Sequence, residues 1–152
     1  MGFTVESKIK INTPSAIVWQ TLTDFESYAT WNPFTPKIEL EPTIGSDVIL
    51  HVQFKQNSDK IHQQKETLLF WNEPYQIDWG ITHSPILKTV RTQRVRTLDA
   101  LTTEYYTSDI IKGPISLIVK WGFQHKIQSG FDQVATALKA EAERRYKLSV
   151  NS

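Results

Sequence analysis

Between residues 3 and 12 apolar and polar side chains alternate. Phe3, Val5, Ile9 and Ile11 fall on one side, and Thr4, Glu6, Lys8 and Lys10 on the other. Period two with one wet face predicts a β-strand. Thr13-Pro14 stops it and starts a helix, with Thr13 expected at the N-cap and Pro14 at the first helical position. Ile17, Val18, Thr21 and Leu22 carry that helix at helical spacing to Thr23. Asp24 is placed to cap a second short helix through Phe25 and Tyr28. Asn32-Pro33 ends it, because a residue before proline avoids the helical region.

From residue 37 onward the pattern is that of successive strands, at 37–41, 48–54, 61–71, 75–83, 87–98 and 102–110. Turn chemistry separates the first two, and a polar hairpin loop is expected at 56–60. In the strand at 75–83, Tyr75, Ile77, Trp79, Ile81 and His83 share a face, and Ser84-Pro85 breaks it. The last element differs. Apolar residues at 117, 121, 123, 127, 131, 134, 138 and 142 predict one amphipathic helix over 117–148, ~48 Å long. Gly122 and Gly130 lie inside it, each costing ~1 kcal/mol relative to Ala, which predicts a close backbone approach beneath them.

The element order β-αα-β6-α predicts an α+β domain over residues 1–150, a curved antiparallel sheet of about seven strands wrapped around the C-terminal helix. Strands far from the helix axis cannot reach it, and the two short helices close one end. The space between is either filled by bulky side chains or hollow, and hollow apolar enclosures hold small ligands.

The chain has 152 residues, and 17 basic against 16 acidic side chains leave a net charge of +1. That balance argues against a dedicated nucleic-acid or anionic-membrane surface. With no cysteine, disulfides, thiolate nucleophiles and thiolate metal sites are excluded. No basic segment followed by an apolar core opens the sequence and no apolar run approaches membrane-spanning length, so a soluble cytoplasmic protein is expected.

The run from Pro14 through Trp19, Asp24, Tyr28 and Trp31-Asn32-Pro33-Phe34 is followed by the meander with Trp79. A terminal helix containing Gly130-Phe131 and Ala137-Leu138-Lys139 completes the chain. Together they resemble the SRPBCC superfamily, the START/Bet v 1-like helix-grip group, and within it the polyketide cyclase/dehydrase-like branch. The resemblance covers essentially the whole chain and implies the helix-grip fold. The superfamily hosts lipid carriers, receptors, aromatases, cyclases and chaperone activators, so the fold alone fixes no activity. The branch often carries an acidic residue, usually Glu, before the Gly that precedes the long helix. Here Asp109 stands four residues before Gly113. The branch's common His on the penultimate strand is absent from the corresponding run, Val90 to Arg96.

Trp31, Phe54, Phe70, Trp79 and Tyr105 are candidates to line a pocket, the alternative being that they fill the core. His83 shares the row of Trp79 and is a candidate acid-base group, or else an exposed residue at a strand end. His51 has the opposite parity to Val48, Leu50 and Val52, which turns it to solvent or a second layer. The four His show no paired spacing and stand beside no carboxylate cluster, so neither a metal nor another cofactor is expected. Tyr105 and Asp109 share a parity on the last strand and would be the polar anchors of a cavity. Parity leaves open whether they or Tyr106 and Ser108 face inward. Of the cations at Lys88, Arg91, Arg94 and Arg96, Arg94 and Arg96 share a face, expected to be the solvated outer one.

The expected function is binding of one small hydrophobic or amphipathic molecule (lipid, polyketide or aromatic), with no nucleic-acid or membrane partner, by a monomer or homodimer. The mouth is expected at the end of the first strand and at Trp31 to Phe34. The alternatives are a cyclase/aromatase-type enzyme using the same cavity, with Asp109, Tyr105 or His83 moving protons, and a protein-interaction domain with an exposed apolar patch.

Overall fold

Alternation and turn chemistry become a single curved sheet in the computed structural model, which describes residues 2–55 and 58–152. The chain runs β1 (Gly2–Ile11), α1 (Ser15–Thr23), a 3-10 turn (Phe25–Ser27) and α2 (Tyr28–Trp31). It continues with β2 (Lys37–Leu40), β3 (Asp47–Val52), β4 (His62–Asn72), β5 (Gln76–Gly80), β6 (Lys88–Asp99), β7 (Thr102–Lys112) and α3 (Ser116–Val150). The strand order is β1-β7-β6-β5-β4-β3-β2 and every pairing is antiparallel. The meander from β2 to β7 is thus closed on one side by β1, and α3 lies across its inner face. Of the polar loop expected at 56–60, residues 56 and 57 lie outside the described residues. No described helix is long and apolar enough to cross a membrane.

Inward-facing Ile11, Val48, Leu68, Ile77, Trp79, Val95 and Tyr105 meet Ala135, Leu138 and Ala142 of α3, with Trp19, Leu22 and Tyr28 from the short helices sealing the end. This half of α3 is also tied to the rest of the chain. Lys139 Nζ donates to Lys10 O at 3.0 Å, Glu143 accepts from Asn12 N at 2.8 Å, and Arg145 pairs with Asp24 at 3.0 Å.

The apolar stripe expected along the whole helix is buried only from Gly130 onward. Leu117, Ile118 and Trp121 face outward, Trp121 at 94% exposure. The two helix glycines divide in the same way. A Cβ on Gly130 would lie 2.3 Å from the Phe34 ring, whereas one on Gly122 would meet nothing within 4 Å. The close approach expected at both is real at Gly130 alone.

Three local departures from simple alternation matter for the site. The helix expected to be capped by Thr13 starts at Ser15 after Pro14 with no side-chain cap; the Thr13 carbonyl instead accepts from Thr103 Oγ1 at 2.7 Å. The register shifts in β4 between Leu68 and Phe70. A one-residue slip reverses the faces that follow, so Trp71 turns inward, edge-on to Trp19 at 5.9 Å, and Phe70 turns out to solvent. Finally, β5 ends at Gly80, where any Cβ would lie 1.9 Å from the Thr89 carbonyl oxygen. The strand expected to reach residue 83 therefore stops early. His83 sits exposed in the connection to β6, off the row of Trp79.

Candidate functional site

With five residues β5 is much shorter than β4 and β6, which have 11 and 12. Beyond Gly80 residues 62–66 of β4 and 88–90 of β6 have no β5 partner between them. Here sheet and helix stand apart around a cavity of about 380 Å³. Its apolar wall comes from Phe34, Phe54, Val119, Phe123, Ile127 and Phe131, with Leu50, Val52, Leu87 and Ile111; its polar wall is Glu66, Thr89, Arg91 and Asp109, with His62 and Gln64. Asn32 places Phe34 there: its Oδ1 accepts from the backbone N–H of Phe34 at 3.2 Å and of Thr35 at 2.8 Å, a turn in which the side chain mimics backbone. The Phe34 ring then lies edge-on to Phe54 and Phe131, at 5.5 and 6.3 Å.

The polar wall centres on Arg91, which is 7% exposed and sits opposite Asp109 in the β6–β7 register. Its guanidinium carbon lies 4.3 Å from the Phe131 ring centroid and 5.8 Å from that of Trp79, a cation–π seat on both sides of the cavity floor. Arg91 Nε donates to Thr107 Oγ1 at 3.4 Å, and Glu66 Oε2 accepts from Gln64 Nε2 at 2.8 Å. Arg91 Nη2 and Asp109 Oδ1 are both buried without a hydrogen-bond partner in the protein. Buried polar atoms are nearly always satisfied by protein or water, so a free donor and a free acceptor on one cavity wall give whatever fills the cavity, water included, both hydrogen-bonding capacities.

Burial pushes the carboxyl groups of Glu66 and Asp109 up, each to about 7; the Glu66 charge raises Asp109 further, and Arg91 opposes both rises. The two buried carboxyls on the wall that carries this guanidinium are thus both shifted toward the neutral form. The site is able to give a hydrogen bond, accept one, and exchange a proton.

The residues singled out from the sequence are dispersed by the fold. Phe54 and Asp109 line the cavity. Tyr105 faces inward on the parity of Asp109 and Tyr106 faces out, but Tyr105 lies in the packed half, its hydroxyl donating to Gln93 Oε1 at 2.7 Å. Trp79 and Trp31 belong to the same packed half, Trp31 against Tyr28 at 4.8 Å. Phe70 and His83 are solvent-exposed and touch none of this wall, for the reasons of register and strand length given above. Of the expected mouth only Phe34 lines the cavity, whose rim is instead Phe54, His62, Leu87 and Phe123.

Arg91 and Glu66 are the site residues that sequence reasoning missed. Both carried a signal, since Arg91 shares parity with Gln93 and Val95, and Glu66 with Leu68. Arg94 and Arg96 do face outward. They border a convex-face depression of about 520 Å³ together with Glu6, Glu104 and Tyr106, where Arg96 pairs with Glu104 at 3.2 Å. That depression is larger, but its lining is polar and charged and lacks the apolar enclosure.

Residues 2–143 match the family described as polyketide cyclase / dehydrase and lipid transport. No curated protein matches the sequence significantly. Among solved structures, the Zhui aromatase/cyclase from Streptomyces sp. R1128 is similar with a TM-score of 0.77 at 22% identity, over 95% of this chain and 96% of that one. A START superfamily protein from Mycobacterium smegmatis gives 0.69 at 15%, over 93% and 97%. Norcoclaurine synthase from Thalictrum flavum, in complex with dopamine and hydroxybenzaldehyde, gives 0.70 at 9%, over 95% and 88%. At these identities the likeness is one of fold.

Proposed function

We propose that the chain, which belongs to the polyketide cyclase/dehydrase and lipid transport family, encloses one small amphipathic molecule between its sheet and the first half of α3. The observation that carries this reading is the apolar-walled cavity of about 380 Å³ on whose polar wall Arg91 Nη2 and Asp109 Oδ1 lack protein partners. The ligand's apolar body lies against Phe34, Phe54, Ile127 and Phe131, and burial of its surface supplies affinity at ~25 cal/mol per Å². A carbonyl or hydroxyl group on it takes a hydrogen bond from Arg91 and, when it has a proton to give, returns one to Asp109. The cytoplasmic setting and the monomer or homodimer expected from the sequence remain part of the proposal. Native mass spectrometry of the protein purified from its own host tests it. A stoichiometric small-molecule adduct, reduced in Asp109→Asn, is expected; adduct-free protein that also fails to take up apolar compounds overturns it.

A second reading is favoured by one specific observation, two buried carboxyls, Glu66 and Asp109, on the same cavity wall as Arg91, where burial pushes both up. In a cyclase-type reaction the ionised member of the pair removes a proton from a carbon flanked by carbonyls, Arg91 stabilises the enolate oxygen, and the protonated member returns a proton to oxygen. Positioning by the apolar wall contributes the rest. Under this reading Asp109→Asn abolishes a pH-dependent turnover of a reactive polyketone while leaving binding in place. Turnover that survives the substitution excludes it.

A further inference from the structure

Beside the cavity rim lies a second, smaller recess of about 240 Å³. It shares Phe54, His62 and Phe123 with the main cavity, and its remaining wall carries Lys55, Lys60 and Lys126. The three lysines come from two separate elements, the chain after β3 and the outer half of α3, and converge on one opening. Among the described residues none of them is in an ion pair. Lys126 Nζ instead rests 5.4 Å from the Phe123 ring centroid. The helix side brings no acidic residue, since none occurs between Asp109 and Asp132, and the loop brings only the exposed Asp59.

The polarity of the two ends is therefore opposite. Inside, the cavity wall carries two buried carboxyls, Glu66 and Asp109, against the one guanidinium of Arg91, so an anionic ligand group placed there would face more acidic than basic side chains. At the rim, unpaired cations surround an aromatic threshold.

We infer that the guest is an amphipathic anion, with its acidic oxygen group at Lys55, Lys60 and Lys126 on the rim and its apolar body directed inward past Phe54 and Phe123. This rests on the reading of the cavity as a ligand site and adds to it the class and the direction of entry. Head-group attraction at an exposed rim is screened by salt, so its signature is a preference that fades with ionic strength.

The test displaces an uncharged apolar dye from the protein at low salt with four probes built on one ten-carbon chain: decanoate, decyl phosphate, decanol and decylamine. The two anions are expected to compete at about 5-fold lower concentration than decanol, and decylamine more weakly than decanol. The preference should fall to near parity in Lys55→Gln/Lys60→Gln/Lys126→Gln and in high salt, and Lys126→Glu alone should reduce it. Decanoate and decanol competing equally, or a preference untouched by the triple substitution, overturns the inference while leaving the cavity reading intact. Failure of all four probes to displace the dye, or of the dye to bind, overturns the cavity reading and this inference with it.

Discussion

The same sheet and the same helix build two different interiors. Toward Ile11 and Leu138 the inner face presents Leu68, Trp79, Val95 and Tyr105, and α3 closes on them directly. A few residues along the same strands and on the same face stand Glu66, Arg91 and Asp109, and there Phe131 of α3 covers Arg91 while a cavity opens beside it. An apolar helix face cannot be laid on three ionisable groups without a desolvation penalty of several kcal/mol per charge. Space and charge therefore go together. The packed half holds the structure, and the open half carries the unpartnered pair Arg91 Nη2 and Asp109 Oδ1 on its wall.

The largest expected effect lies in the packed half. Trp79→Ala should cost about 3–5 kcal/mol in denaturant unfolding. Phe54→Ala, at the rim, should cost about 1 kcal/mol or less while weakening the binding of an apolar dye. If the two costs were similar, the division of labour between the halves would be wrong.

Next comes Asp109→Asn. In the folded chain burial raises this carboxyl from 3.8 to about 7, so the folded state holds a proton that the unfolded state has already released. The associated stability is complete below the unfolded value and is lost as pH rises through the folded one. The Asn variant should match the parent near about pH 4 and become more stable by roughly 1–3 kcal/mol toward about pH 8, read from paired unfolding curves. A variant less stable than its parent at the higher pH would mean that the carboxylate is well solvated or paired.

Gly130→Ala sits on the boundary between the halves. Its methyl group meets the Phe34 ring, and overpacking of about 1–3 kcal/mol outweighs the ~1 kcal/mol gained in helix propensity. A net loss of stability, together with altered dye binding through Phe34, is expected. The smallest effect is that of Gly122→Ala, over the open half. With nothing near the new methyl, stability should rise by up to ~1 kcal/mol. A loss there would show that α3 is packed along its whole length.

The architecture was legible because period-two and helical spacing are local properties. The antiparallel meander and the long helix followed from them with boundaries close to those observed, whereas parity left open whether Tyr105 and Asp109 or Tyr106 and Ser108 face inward, and it is the packing of the sheet on α3 that turns Tyr105 and Asp109 in. What failed needed information from another strand. The β4 bulge that turns Phe70 outward and the Gly80–Thr89 contact that ends β5 before His83 are pairing events without a local sequence mark. Arg91 stands in a run of four cations of which the sequence assigns a face only to Arg94 and Arg96. Its parity with Gln93 and Val95 pointed inward, but only the register opposite Asp109 makes the two a site. Along α3 the apolar period continues through Leu117 and Trp121, and nothing in the period reveals that the sheet has already fallen away beneath them.

Titration of the native chain with an uncharged apolar dye, in parallel with Ile127→Trp, which fills the cavity from the helix side without touching the packed half, tests the division most directly. Saturable binding at a single site in the parent, lost in a variant that still unfolds cooperatively at a similar denaturant concentration, is the predicted result. Binding that does not saturate, or that survives the filled cavity unchanged, would contradict a guest held between the sheet and α3.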